Sequence, residues 1–309
     1  MKEPYSLADL QSWDAEGRSE KPPIRLGIFG DPVAHSLSPQ MQNAALEKSG
    51  LPMRYAAFHI RAEELVEALR LLVAHDFVGI NLTIPHKIAA AGLVDELDDF
   101  ARRVGAINTV VARDGKLRGS NTDGPGFAHA IRSEFSVDLR DLRILLLGAG
   151  GGAGRAIAMQ CAAEGCERLV LVNRTLEKAQ ALAKELKVAL SDARVSAPVA
   201  RLEAVPWEER ALRSQIANID LVVNATSVGM RRSDPSPLPV SVLAPHLMVY
   251  DTIYPPARTA LLSASADAGA RGANGRSMLL HQGALAFEEW FDREAPVDTM
   301  RAALSPANA

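Results

Sequence analysis

The stretch RILLLGAGGGAGRAIAMQ, residues 143–160, constrains the fold of this chain more than any other segment. A strong apolar run breaks into glycines and reopens at once as a helix-forming run, which is the strand–turn–helix start of a βαβ unit. Gly148, Gly150 and Ala153 occupy the three small positions of the turn. Small residues there keep the turn tight and let the backbone approach a pyrophosphate, with the helix N-terminus facing it. A bare glycine turn without a ligand is the plainer alternative, but strand, glycines and helix agree on a dinucleotide site.

The end of the next strand, RLVLVNRT, selects the nucleotide. A site for NAD usually carries a carboxylate there to hold the ribose hydroxyls. This chain has Asn173-Arg174-Thr175 and then Lys178. A carboxylate would repel a 2′-phosphate, whereas a guanidinium holds it in a fork and stacks on adenine. The pattern favours NADP over the alternative of a solvated surface arginine.

Before this unit, strands and helices alternate from residue 24: IRLGIFG, RYAAFHI and VGINLTI read as strands, SPQMQNAALEKSG and AEELVEALRLLVAHD as helices. Ser38 is placed as the N-cap of its helix, Pro39 at the first helical position and Gly50 at the stop. Asp114-Gly115 predicts a hairpin between two short strands. Both halves are therefore α/β. Residues 187–216 predict edge elements and a loop.

Composition narrows the function classes. Of 309 residues 48% are hydrophobic, and the net charge is −3, which argues against broad electrostatic binding to nucleic acid or an anionic membrane. No apolar run is long enough to span a bilayer, and the N-terminus has no signal-like apolar segment. Cys161 and Cys166 are expected within one helix, on different faces, as buried small hydrophobes in a reducing cytoplasm.

The segment NLTIPHK, residues 81–87, poses the sharpest chemical question. As a strand it puts Val78, Ile80, Leu82 and Ile84 on a core face and Gly79, Asn81 and Thr83 on a small, polar one. Pro85 ends the ladder, leaving His86 and Lys87 at the carboxyl end, where open α/β sheets bind ligands. Ser36 and Ser38 lie just before a helix and could hold a carboxylate with the free N–H groups there, although Ser38 alone reads more simply as a cap. Asp123 begins a helix, a common place for a lone carboxylate. Gln282 falls on an apolar helix side and must be hydrogen-bonded to backbone or to a ligand.

Taken together, HSLSP (35–39), NLTIPHK, GAINT (105–109), NTDG (121–124), GAGG (148–151), NRT (173–175), NATSVGM (224–230), DTIYPPARTALL (251–262) and NGRSMLLHQGALAFEEW (274–290) resemble the shikimate dehydrogenase family, in the family's order. The resemblance implies two α/β domains with a catalytic cleft between them. One is a substrate domain with a mixed sheet, residues 24–122 plus 275–309. The other is a Rossmann-like NADP-binding domain, residues 123–274. Residues 1–23 are left as a polar N-terminal arm carrying a short helix.

The implied activity is the NADP-dependent, reversible reduction of 3-dehydroshikimate to shikimate in aromatic amino acid synthesis. Position by position, Ser36 and Ser38 would hold the substrate carboxylate. Asn81, Thr83, Asn108 and Gln282 would bind the ring hydroxyls, with Tyr254 nearby, and Lys87 and Asp123 would be the catalytic pair. Gly148, Ala149, Gly150, Gly151 and Gly152 would cradle the pyrophosphate, and Asn173, Arg174, Thr175 and Lys178 the adenosine end. Thr226 is a further cofactor contact, with Thr252 and Gly275 near the nicotinamide. No metal is implied, and a homodimer is left open.

Four features depart from the family pattern. The run GAGGGAGRA is one residue longer than the usual form, Gln42 stands where many relatives have histidine, Ser120 precedes NTDG, and the arm has no counterpart. A quinate-oxidising relative is the nearest rival; Thr175 and Ser38 favour shikimate and NADP. A non-catalytic metabolite-binding module is the rival of another class, and the intact Lys87 and Asp123 weigh against it.

Overall fold

The computed structural model describes residues 4–13, 21–187 and 201–305. The chain divides into two compact units, one of Met1–Gly126 with Leu279–Ala309 and one of Phe127–Met278. The boundaries fall inside two helices, α6 (Asp123–Phe135) and α11 (Arg276–Phe291).

The first unit is built on a seven-stranded mixed sheet in the order β1-β3-β2-β4-β6-β7-β5. Its strands are β1 (Tyr5–Ser6), β2 (Ile24–Gly30), β3 (Arg54–His59), β4 (Gly79–Leu82), β5 (Glu96–Leu97), β6 (Thr109–Arg113) and β7 (Lys116–Ser120). β1, β3, β2 and β4 run parallel, while β6 is antiparallel to both β4 and β7. The β6–β7 connection is the expected tight hairpin, with Asp114 at φ 54° and Gly115 at φ 73°, the paired positive values of a type I′ turn.

Ile80 and Leu82 join Phe29, Phe58, Leu69 and Leu72 in the core, as the alternation of β4 requires. The opposite face is not open to solvent. A Cβ on Gly79 would collide with Trp290 of α11, whose indole N–H donates to Val110 O at 3.0 Å. Ile84, expected on the core face, is exposed, because the ladder ends at Leu82 and the chain turns at Pro85 before the short helix α4 (His86–Ala89).

The N-terminal segment also departs from expectation. Residues 4–13 are not a polar arm but part of the sheet and its core. β1 pairs with β3, α1 (Leu7–Gln11) follows, and Tyr5, Leu10 and Trp13 are buried. Trp13 is 1% exposed and lies 5.4–5.5 Å, ring to ring, from Tyr5, Phe58 and Phe77. The three anchors are isolated among polar and small residues, without a continuous apolar run, and only the completed sheet edge can bury them.

The second unit is a six-stranded, all-parallel sheet in the order β10-β9-β8-β11-β12-β13. The strands are β8 (Arg143–Leu147), β9 (Arg168–Val172), β10 (Leu202–Val205), β11 (Leu221–Asn224), β12 (Met248–Asp251) and β13 (Arg271–Asn274). β8 lies where the winding reverses, so the loops after β8 and β11 flank the switch point of a doubly wound sheet. α7 (Gly152–Ala163) follows β8, α8 (Leu176–Leu186) follows β9, and α10 (Ala260–Asp267) precedes β13. β10 is an edge strand, as expected for its stretch, and residues 188–200 lie outside the described residues.

Cys161 ends up in α7, but Cys166 lies beyond it, after Gly165 turns the chain at φ 74°. Both thiols are free and buried, and burial pushes Cys166 up to about 12. Among the described residues no helix is long and apolar enough to cross a membrane.

Candidate active site

In the first unit Lys87 and Asp123, the pair expected to be catalytic, are in contact. Lys87 Nζ donates to Asp123 Oδ2 at 2.7 Å, with side-chain exposures of 16% and 5%. Lys87 stands in the first turn after Pro85, and its own carbonyl accepts from Ile107 N at 2.8 Å, which ties α4 to the approach to β6. Asp123 is the first residue of α6, and its N–H donates to Asn121 Oδ1 at 3.1 Å. An asparagine two residues earlier thus caps the helix and sets the carboxylate's direction.

Asn108 joins this pair to Gln282. Its amide nitrogen is 2.9 Å from Asp123 Oδ1, 2.9 Å from Thr122 Oγ1 and 3.1 Å from Gln282 Oε1. Its oxygen accepts from Thr122 N at 2.7 Å. Gln282 in turn donates to Leu279 O at 2.8 Å, so the buried glutamine is held by backbone on one side and by Asn108 on the other. Three acceptors compete for the two hydrogens of Asn108, an arrangement that a ligand hydroxyl can complete.

Asn81 behaves differently from an open ligand-binding amide. Its oxygen accepts from the Tyr55 hydroxyl at 2.9 Å, and its nitrogen lies 3.2 Å from both Asn108 O and Thr109 Oγ1. It braces the Asn108 segment from behind. Thr83 follows β4 at the carboxyl end of the sheet, half-buried, with its methyl against Gly30 at the end of β2.

Ser38 does not cap its helix. The cap position of α2 (Ser38–Lys48) is Leu37, which lends no side-chain bond, while Ser36 Oγ accepts from Ser38 N at 3.2 Å. The backbone capping role therefore goes to Ser36. Ser38 is buried, and among the described residues no group bonds its hydroxyl. Gln42, the departure on the same helix, donates to Gly283 O at 2.9 Å and so fastens α2 to α11. Ser120 bonds Glu289.

In the second unit the glycine turn is built by close approach. Gly148 sits at φ +85°, and a Cβ there would lie 2.7 Å from the Thr226 methyl. The third small position belongs to Gly154 rather than Ala153. A Cβ on Gly154 would overlap the Gly148 carbonyl, whereas Ala153 is half-buried and tolerates its methyl. α7 starts at Gly152, and its close contact with the Gly148 carbonyl falls one residue beyond Ala153. The N-cap of α7, Gly151, lends no side chain, which leaves its first N–H groups for a ligand.

Asn173 Oδ1 accepts from Gly150 N at 3.2 Å, and Lys178 lies close enough to the loop that a Cβ on Gly150 would be 3.0 Å from it. Arg174, Thr175 and Lys178 are exposed. The donor set therefore suits NADP: a backbone cradle, an uncapped helix start and cations without a carboxylate at the end of β9. Thr226, Thr252 and Gly275 follow β11, β12 and β13, and a Cβ on Gly275 would overlap Thr252 O. The Thr226 hydroxyl turns inward, donating to Asn224 Oδ1 at 2.7 Å. Tyr254 is half-buried in this unit, three residues after β12, whereas the other residues assigned to substrate lie in the first.

Tyr55, Asn121, Thr122, Asn224 and Thr259 were not legible as site residues. Asn121 alone had a usable signal, an asparagine two residues ahead of a helix start.

Three family models match in sequence: the shikimate dehydrogenase substrate binding domain over residues 28–110, shikimate / quinate 5-dehydrogenase over 129–230, and the shikimate 5′-dehydrogenase C-terminal domain over 275–304. The shikimate dehydrogenase (NADP(+)) of Methanopyrus kandleri is 42% identical, covering 90% of this chain and 94% of its own. The chain belongs to the shikimate dehydrogenase family. The enzyme of the same name from Symbiobacterium thermophilum is 43% identical over 90% of this chain and 92% of its own. Among solved structures, shikimate 5-dehydrogenase from Thermus thermophilus in complex with NADP(H) and shikimate superposes with a TM-score of 0.78. It is 37% identical and covers 91% of this chain and 98% of that one. Family membership accounts for both architectures, the mixed sheet and the parallel one.

Proposed function

We propose that this chain catalyses the NADP-dependent, reversible reduction of 3-dehydroshikimate to shikimate, a step toward chorismate and the aromatic amino acids. The observation that carries the reading is the Lys87–Asp123 contact at 2.7 Å, joined through Asn108 to Gln282. A cation and a carboxylate in contact can share the handling of one proton, and a chain of amides beside them can orient a polyol. Ser36 and Ser38 hold the substrate carboxylate at the start of α2, where Ser38 keeps an uncommitted hydroxyl. Thr83, Asn108 and Gln282 hold the ring hydroxyls, with Asn81 bracing Asn108.

NADP, when bound, supplies the hydride chemistry; the chain manages the proton and the charge. Lys87 stabilises the alkoxide that develops on the reacting oxygen, and Asp123 keeps the ammonium aimed. Asn173, Arg174, Thr175 and Lys178 take the adenosine end, Gly148 to Gly152 the pyrophosphate, and Thr226, Thr252 and Gly275 flank the nicotinamide. The unit of Met1–Gly126 with Leu279–Ala309 serves the substrate and that of Phe127–Met278 the cofactor. Two buried free thiols suit a reducing cytoplasm. A homodimer is tested by light scattering of the purified chain.

The deciding experiment follows NADPH or NADH formation with shikimate or quinate, each paired with NADP or NAD. Fast turnover confined to shikimate with NADP supports the reading. Preference for quinate or NAD moves the chain to a sister activity, and silence in all four leaves a binding module.

A further inference from the structure

Asp251, the last residue of β12, is a fully buried carboxylate that the mechanism above does not use. Its Oδ2 accepts from Thr259 Oγ at 2.6 Å; its Oδ1 accepts from Asn224 Nδ2 at 3.0 Å and from Ile253 N at 3.2 Å. Each partner begins a different connection. Asn224 ends β11, and its amide oxygen accepts from both the N–H and the hydroxyl of Thr226, while its nitrogen also donates to Val228 O at 3.1 Å. Ile253 follows Thr252, and its carbonyl accepts from Gly275 N at 3.1 Å. Thr259 caps α10, accepting from Leu262 N at 3.3 Å, and so fixes the far end of the 252–259 loop.

One carboxylate thus gathers the loops after β11 and β12 and, through Ile253, the turn after β13. A buried charge is expensive unless fully bonded, and a core needing only cohesion is served as well by apolar side chains. Asp251 instead stands at the carboxyl ends of neighbouring parallel strands, the ligand end of a doubly wound sheet. Clearance there is small, since Gly275 packs directly on the Thr252 backbone.

We propose that Asp251 is a positioning residue for the nicotinamide end of the cofactor site, acting through Asn224, Ile253 and Thr259 to hold Thr226, Thr252 and Gly275 in register. The inference rests on the cofactor roles given to those three residues. It makes a distinction that simple loss of stability would not. Loosening the hub disturbs the nicotinamide end and leaves the adenosine end, at Asn173–Lys178 after β9, intact.

The test measures binding of NADP and of 2′,5′-ADP, a fragment without nicotinamide, to the full chain and to the variants D251N, T259V and T259S. In D251N and T259V, NADP binding weakens by about tenfold or more, the scale of one lost charge-assisted bond. Binding of 2′,5′-ADP and the KM for shikimate stay within twofold of wild type. T259S, which keeps the hydroxyl, restores NADP binding. T259V carries the test if D251N does not fold.

Equal weakening of both ligands, or NADP binding unchanged in both variants, overturns the proposal. R174A separates the two levels of failure. If R174A weakens NADP and D251N does not, the positioning inference alone fails. If R174A has no effect either, the cofactor reading of the unit fails with it.

Discussion

Replacing Lys87 by alanine removes the ammonium that touches Asp123 Oδ2 at 2.7 Å and leaves Asn108 Nδ2, 2.9 Å from Oδ1, as the carboxylate's side-chain partner. Loss of one group that stabilises a developing oxyanion lowers kcat by about 10² to 10³-fold, roughly 2.7–4 kcal/mol. General acid–base roles fall in a similar range of about 10² to 10⁴-fold, and one side chain serving both does not multiply them. We therefore expect K87A to lose at least ~10²-fold in kcat, with the KM for shikimate changing far less. Breaking a fully buried pair costs about 3–5 kcal/mol. Here Lys87 retains some contact with solvent and Asn108 still holds the carboxylate, so a loss nearer ~1–2 kcal/mol is expected and the variant stays folded at room temperature.

The assay is steady-state NADPH formation at saturating NADP, with shikimate varied, alongside a urea melt of the same preparation. K87R divides the chemistry further. A guanidinium keeps the charge but does not give up its proton near neutrality, so K87R as inactive as K87A indicates that proton transfer through Lys87 is required. Substantial activity in K87R indicates that the cation suffices. A kcat within threefold of wild type for K87A, or a loss matched by its unfolded fraction, refutes the assignment.

Arg174→Ala should raise the KM for NADP by about tenfold or more while leaving NAD nearly unaffected, since a fork on a 2′-phosphate is lost; equal effects on the two cofactors would remove Arg174 from that role. Trp13→Ala, at a site 1% exposed among three other rings, should destabilise the first unit by about 3–5 kcal/mol in urea titration; a change under ~1 kcal/mol would mean residues 4–13 do not hold that core. Burial pushes the His86 imidazole below its usual 6.5, and its Nε2 already donates to Ile60 O at 2.7 Å. The unfolded chain therefore binds the extra proton first. His86 stabilises the fold fully above pH 6.5, and that contribution fades as pH falls through the depressed folded value. His86→Gln should flatten the acid side of the stability profile, and an unchanged slope would show that another group sets it. Both cysteines should resist a thiol reagent in the native protein and react once it is unfolded, because burial raises both thiols; stoichiometric labelling of the folded chain would contradict this.

Local signals in the sequence were enough for the glycine turn between β8 and α7, the Asp-Gly hairpin and the alternating face of β4. Each rests on interactions between residues near one another in the chain: positive φ, the period of two, a strand running straight into a helix. The same locality exposed the cations after β9 and the absence of a carboxylate there. What needed the fold was whatever depends on distant segments. Lys87 and Asp123 are 36 residues apart, and Asn108 reaches Gln282 across 174. Chemistry suggested each of these residues, yet only the packing of α6 and α11 against the mixed sheet determines which atoms meet.

The corrections have the same origin. Ser38 reads as a cap from its place before Pro39, but Ser36 reaches the Ser38 N–H and frees that hydroxyl. Gly154 rather than Ala153 makes the close helix contact, and a steric limit that tight appears only in three dimensions. Trp13 looked like part of a polar arm until a sheet edge existed to bury it. Asp251 was one letter of a family motif; the convergence of Asn224, Ile253 and Thr259 on its two oxygens belongs to the tertiary structure alone, since parallel strands bring together loop ends that the chain keeps far apart.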